Sequence, residues 1–351
     1  MNQIRHFRLK AASATSALIL SGCVTVPEVP ARPEISKVEA SFDSAESLIF
    51  DGGEVNSSWW QNFDDPLMTS LVESALAHNK DIAVAEANIA IAQAFLNRQG
   101  LTQTPSTRSL GGANLGRQAR DGADIEITAD VQIGASWEYD AFRRIASIID
   151  SAELDLLSAQ ELRRDVAVII ASETALAYTD LRGNQVLLAV AQTNADLQGE
   201  SLDLLRALFD NGRATRLDLE RAEAQFRATL ASLPVFEADI RTAAARLVSL
   251  TGQTSLSETL MVETALGTAE QTPVPPLMFA VASPEALIRR RPDIRVAEAD
   301  IASLLALGQA ERARLFPTLT FDANLFSLFS EGNDLGDSFG FGIGPSIVWD
   351  G

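Results

Sequence analysis

Two segments far apart in the chain are near copies of one another. Asp81-Ile82-Ala83-Val84-Ala85-Glu86-Ala87-Asn88-Ile89-Ala90 and Asp293-Ile294-Arg295-Val296-Ala297-Glu298-Ala299-Asp300-Ile301-Ala302 differ only at Ala83/Arg295 and Asn88/Asp300. The register holds on to Pro105 and Pro317, and each segment is preceded by a capping residue and a proline, Asp65-Pro66 and Ser283-Pro284. That is the signature of a helix start. Each copy then runs into a β-like stretch, where Ile133-Gly134-Ala135-Ser136 answers Ile343-Gly344-Pro345-Ser346. A duplicated plan of helix, proline break and strand pair constrains the fold more than any single motif. After the first strand pair the chain reads as helix from roughly 142 to 209 and again from 216 to 250. By the same plan a further helical stretch is expected after the second strand pair, so the second repeat is read as truncated at Trp349-Asp350-Gly351. The expected division is residues 1–22, 23–58, a first repeat at 59–265 with its β-hairpin at 106–140 and long helices at 142–250, and a second repeat at 266–351.

The strands have two unlike faces. From Ile125 to Asp140 the odd positions are Ile125, Ile127, Ala129, Val131, Ile133, Ala135, Trp137 and Tyr139, and the even ones are polar, acidic or glycine. Period two with one apolar and one polar face suits a half-buried soluble strand, or one between lipid and water. Leu319, Phe321, Ala323 and Leu325 repeat the pattern, as do Phe339, Phe341, Ile343, Ile347 and Trp349, with a polar tip at Ser330–Asp334 between them. The chain thus offers about four strands, whereas the smallest closed membrane barrels need about eight. If the strands span a bilayer, several chains must share one barrel.

The helical stretches carry stripes. Leu219, Ala222, Phe226, Leu230, Leu233, Ile240, Ala244, Leu247 and Leu250 step by three or four along one, and Leu154, Leu157, Val166, Ile169, Ala177 and Leu181 form a looser one. Pro234 predicts a kink or break, and Gly183 and Gly199 are candidate breaks in the longer helix. Their charged residues exclude a membrane-spanning helix. Between the two helices, Asn211-Gly212-Arg213-Ala214-Thr215 reads as a turn, with Gly212 at a positive φ and Thr215 capping ahead of Asp218.

The N-terminus reads as an address. Arg5, Arg8 and Lys10 precede an apolar run from Ala11 to Leu20, the layout of a signal peptide. It ends in Leu20-Ser21-Gly22-Cys23, which resembles a bacterial lipobox, and Cys23 is the chain's one cysteine. Acylation of Cys23 would make residues 23–58 a lipidated tether.

Composition narrows the function classes. The net charge of −19 disfavours nucleic acid as a partner. One cysteine and two histidines leave no disulfide framework and no zinc or Cys–His chemistry. Carboxylate pairs such as Glu153/Asp155 read as solvated helix faces, and His78 as a residue near a helix end. No catalytic residue and no cofactor are expected.

Trp59-Trp60-Gln61-Asn62-Phe63-Asp64-Asp65-Pro66, the Ser283-Pro284 start, and Arg290-Arg291-Pro292-Asp293-Ile294 followed by Ala297-Glu298 resemble the TolC-like outer-membrane efflux proteins over about residues 59–351. With Cys23, the resemblance is to the lipoprotein branch that serves resistance–nodulation–division (RND) pumps. It implies a mainly α fold with a small β part. Long antiparallel helical hairpins form an α-barrel, and four strands per chain enter a trimeric, twelve-stranded β-barrel. It also implies an outer-membrane exit duct in a tripartite efflux pump, with the helices in the periplasm. The partners implied are two further copies, a periplasmic adaptor, an inner-membrane pump and outer-membrane lipid. Asn211, Gly212, Arg213 and Thr215 are the implied adaptor-facing tip. A periplasmic adaptor or a structural coiled-coil lipoprotein are the alternatives; the first would need no duplicated plan, and the second would not explain the alternation at 125–140.

Overall fold

The computed structural model describes residues 50–51, 57–116, 126–253, 272–275, 279–280, 283–330 and 339–349. Cys23, Ile125 and the polar tip after Ser330 lie outside them. The described residues fall into two compact units, one within 105–147 and 305–349, the other within 50–104 and 148–304. The elements in chain order are β1 (Phe50–Asp51), α1 (Pro66–His78), α2 (Lys80–Gly100), β2 (Ser106–Gly116), β3 (Glu126–Tyr139), α3 (Arg144–Asp210), α4 (Arg216–Leu250), β4 (Phe279–Ala280), α5 (Pro284–Arg290), α6 (Pro292–Ala313), β5 (Thr318–Ser330) and β6 (Phe339–Val348). The fold is mainly helical with a small antiparallel sheet.

In the helical unit, each short helix starts where its cap residue places it. The Asp65 carboxylate accepts from the amides of Leu67 and Met68, with Pro66 in the first turn. Asn79 ends α1 and starts α2: its Oδ1 accepts from Asp81 and Ile82, and its Nδ2 donates to the Leu250 carbonyl 171 residues away. His78 is the last residue of α1. The core joins Met68, Leu71, Val72 and Ala75 of α1 with Ile82 of α2, Ile170, Ala171, Ala175, Tyr178 and Leu181 of α3, and Ala243, Ala244, Leu247 and Leu250 of α4. Alanine lets the axes approach closely, and each fully buried Met, Leu or Val contributes about 1.5–3 kcal/mol. A short parallel bridge pairs Phe50–Asp51 with Phe279–Ala280, so part of the segment expected as tether is hydrogen-bonded.

Helix α3 runs through Gly183 and Gly199 without interruption for 67 residues, a rise of about 100 Å. Gly199 faces Phe226 of α4, so a missing side chain serves packing there rather than a break. Helix α4 likewise continues through Pro234. The carbonyl deprived of its donor belongs to Leu230, which is itself exposed, so water can replace the lost bond. The two helices are antiparallel: Arg206 meets Glu223 at 4.0 Å near the turn, and Arg246 near the end of α4 meets Glu173, midway along α3, at 3.6 Å. The stripes are buried only in part. Ala244, Leu247 and Leu250 are core, but Leu230 is exposed; on α3 the expected Ala177 and Leu181 are core, while Ile169 and Leu157 are exposed and Ile170 is buried instead.

Candidate functional site

The sheet of the other unit has strand order β2-β3-β5-β6, every neighbour antiparallel and no bulge in any register. Directly paired residues share a face, so the sequence alternation extends across the sheet. One face carries Val131, Ile133, Trp137 and Tyr139 of β3, Phe321 and Leu325 of β5, and Phe339, Phe341, Ile343 and Ile347 of β6. These side chains are largely uncovered: Phe341 is 77% exposed, Ile343 83% and Ile347 68%. A water-facing sheet with such a face would be unstable; facing lipid, it is the stable arrangement.

The opposite face carries Asp130, Gln132, Ser136 and Glu138 of β3, Asp322 and Asn324 of β5, and Gly340, Gly342, Gly344 and Ser346 of β6. Asp322 is the hub of a hydrogen-bonded group, accepting from Ser136 at 2.7 Å, Ser346 at 2.9 Å and Thr320 at 3.1 Å. The glycines make room for neighbours: a Cβ at Gly342 would stand 2.5 Å from the Asn324 side chain. Among the described residues, strands β2 and β6 each have one unpaired edge.

Aromatic rings gather where the strands meet the helices. Trp137 stacks on Phe321 with centroids 5.9 Å apart and meets Tyr139 edge-on; Phe142 stacks on Phe316 at 4.7 Å. The corner after β3 is fixed by polar contacts. The Asp140 carboxylate accepts from the amides of Ile145 and Ala146, and Arg144 donates to both Glu138 oxygens. Trp and Tyr at a polar–apolar boundary fit a membrane interface. Among the described residues, no helix is long and apolar enough to cross a membrane.

Residues 71–253 match the family described as outer membrane efflux protein. The chain belongs to that family. It is 31% identical over 316 residues to nodulation protein T of Rhizobium leguminosarum bv. trifolii, covering 88% of this chain and 65% of that protein. It is 25% identical over 340 residues to the probable efflux pump outer membrane protein TtgC of Pseudomonas putida KT2440, covering 94% and 68%. The structure of the outer-membrane channel OprN superposes with a TM-score of 0.82 at 30% identity, over 91% of this chain and 72% of that one. The chain thus spans just under two thirds of nodulation protein T.

The residues expected at the hairpin tip of this efflux-family chain come together. Gly212 has φ +73°, and its amide donates to the Phe209 carbonyl at 2.8 Å while the Arg213 amide donates to Leu208 at 2.8 Å. Those two bonds satisfy the carbonyls that end α3. Asn211 donates from Nδ2 to Ala207. Thr215 and Asp218 cap α4 reciprocally, and the Thr215 bonds hold the Asp218 carboxyl below its usual range. Asn211, Gly212, Arg213 and Thr215 are all exposed.

Sequence reasoning missed a polar seam between α3 and α6. Ser303 donates to Asp155 at 2.5 Å and pairs with Ser151 at 2.9 Å; Ser158 donates to Asp300 at 2.6 Å; Glu161 meets both Arg164 and Arg295. Asp155 is therefore held by a partner helix and is not simply solvated. The three-or-four spacing of Ser151, Asp155, Ser158 and Glu161 was the available signal.

Proposed function

We propose that this chain is a subunit of an outer-membrane exit duct, through which small molecules pass passively from the periplasm to the outside in a tripartite efflux system. The reading rests on one observation: a four-stranded sheet with an uncovered apolar face and two unpaired edges. In lipid an open edge leaves backbone groups unsatisfied at several kcal/mol each. Three copies would join β6 of one chain to β2 of the next, antiparallel as every other pair, and close twelve strands. The aqueous lumen then receives the polar face, and lipid the apolar one.

The long α3–α4 hairpin supplies the periplasmic α-barrel in this reading, and the duplicated plan divides the chain at 59–265 and 266–351. Acylated Cys23 anchors the N-terminus to the membrane. The exposed turn at Asn211, Gly212, Arg213 and Thr215 receives a periplasmic adaptor, which couples the duct to an inner-membrane RND pump. The TtgC name and the OprN channel support duct and pump. Replacing Gly212 by valine opposes its positive φ and should abolish adaptor crosslinking at the tip while leaving trimers intact; unchanged crosslinking would place the adaptor elsewhere. For the duct itself, the reading expects discrete ion-conducting steps from the purified protein in planar bilayers, and a membrane-inserted protein that passes no current contradicts it.

A further inference from the structure

The polar face of the sheet also carries apolar side chains, and two of them share a row. Leu110 of β2 and Phe326 of β5 sit in one cross-strand row, Leu110 opposite Gln132, Gln132 opposite Phe326, and Phe326 opposite Gly340. They are 43% and 44% exposed. Neither fills a core, and each points away from the lipid-facing side by the strand period. The Phe326 ring lies across Gly340, where any Cβ would collide with it. Glycine at 340 thus lets the ring rest against the wall with one π-face open. Among the described residues, this face carries Asp130, Glu138 and Asp322 against Arg108, with Arg144 bound to Glu138, so its charge is net negative. Gln132 stands opposite Phe326 on β3; Asp130, one diagonal step along, turns its carboxylate the other way, over Gly112 of β2 and beside Leu110. Arg108 is two strands away, beside Leu110. The other guanidinium near this face, that of Arg144, is occupied by Glu138.

We propose that Phe326, with Leu110 and Asp130, forms a contact site on the duct wall for organic cations that carry apolar groups. The ring offers dispersion and cation–π attraction, Leu110 extends the apolar area, and Asp130 favours positive charge. A trimer presents three such patches. The site rests on the exit-duct reading, because only a closed barrel makes this face a lumen.

Ion-current block by quaternary ammonium probes tests it, using purified full-length protein in planar bilayers. Tetrahexylammonium should block wild-type channels at least about tenfold more strongly than tetramethylammonium, since its chains bury apolar area on the ring. Phe326→Ser should lose most of that preference. Because position 326 faces water, this change leaves the sheet's packing against lipid intact. Leu110→Ser should lose part of it, and Phe321→Ser, on the lipid face, none. Wild-type block in conducting Phe326→Ser channels would overturn the site and leave the duct standing. A membrane-inserted wild-type protein without any current would remove the duct and the site with it.

Discussion

Asn79 shows how much one side chain can hold. It caps α2 with its oxygen and, with its amide, donates to the carbonyl of Leu250 at the end of α4. Replacement by alanine loses the cap and leaves a buried carbonyl unpaired, so Asn79→Ala should cost about 2–4 kcal/mol, read from the urea midpoint. Tyr178 ties α3 to the start of α1 in a second such place: its hydroxyl donates to Asp65 at 2.8 Å and accepts from Arg182, one turn along α3, at 3.2 Å. Burial raises the phenol's pKa; Arg182 opposes the shift and the Asp65 bond adds to it. The folded pKa lies above the unfolded value of about 10, so this contribution is complete below pH 10 and falls as pH rises through the folded pKa. Unfolding titrations between pH 8 and 11 should show a steeper alkaline loss in wild type than in Tyr178→Phe. Cap residues such as Asp65, Ser283 and Thr215 were readable in the sequence because capping is local. The reach of Asn79 to Leu250 was not, because nothing local marks a contact across 171 residues.

At the scale of elements, strands were more legible than helix faces. Period two assigns every residue of β3, β5 and β6 to a side without knowledge of a partner. A long alanine-rich helix has several apolar stripes, and only its neighbours decide which is buried; hence Ile170 is core where Ile169 was expected. The seam between α3 and α6 makes an asymmetric prediction. Glu161 is 2% exposed, while Arg164 and Arg295 are 57% and 42% exposed. Removing both arginines strands a buried carboxylate, so Arg164→Ala with Arg295→Ala should cost about 3–5 kcal/mol. Glu161→Met frees two arginines that water already reaches and should be near neutral. Denaturant curves of the two variants would separate these outcomes.

At the scale of the whole molecule, the uncovered apolar face and the open edges have one joint remedy, lipid on one side and sister chains at the ends. Ile343→Arg places a charge on the lipid face and should cost about 2–4 kcal/mol of membrane stability, read as loss of protein from the outer-membrane fraction. Gly344→Ser, one residue along on the other face with open space around it, should be tolerated. The repeat and the alternation carried this architecture in the sequence, whereas the partner of each edge is intermolecular and no single chain shows it. Disulfide crosslinking across that junction is the most direct test. Single cysteines scanned along Thr107–Gly111 of β2, each combined with one at Phe341 or Ile343 of β6, should in one register yield covalent closed trimers in outer membranes and nothing larger. Monomers alone in every register would contradict the shared barrel.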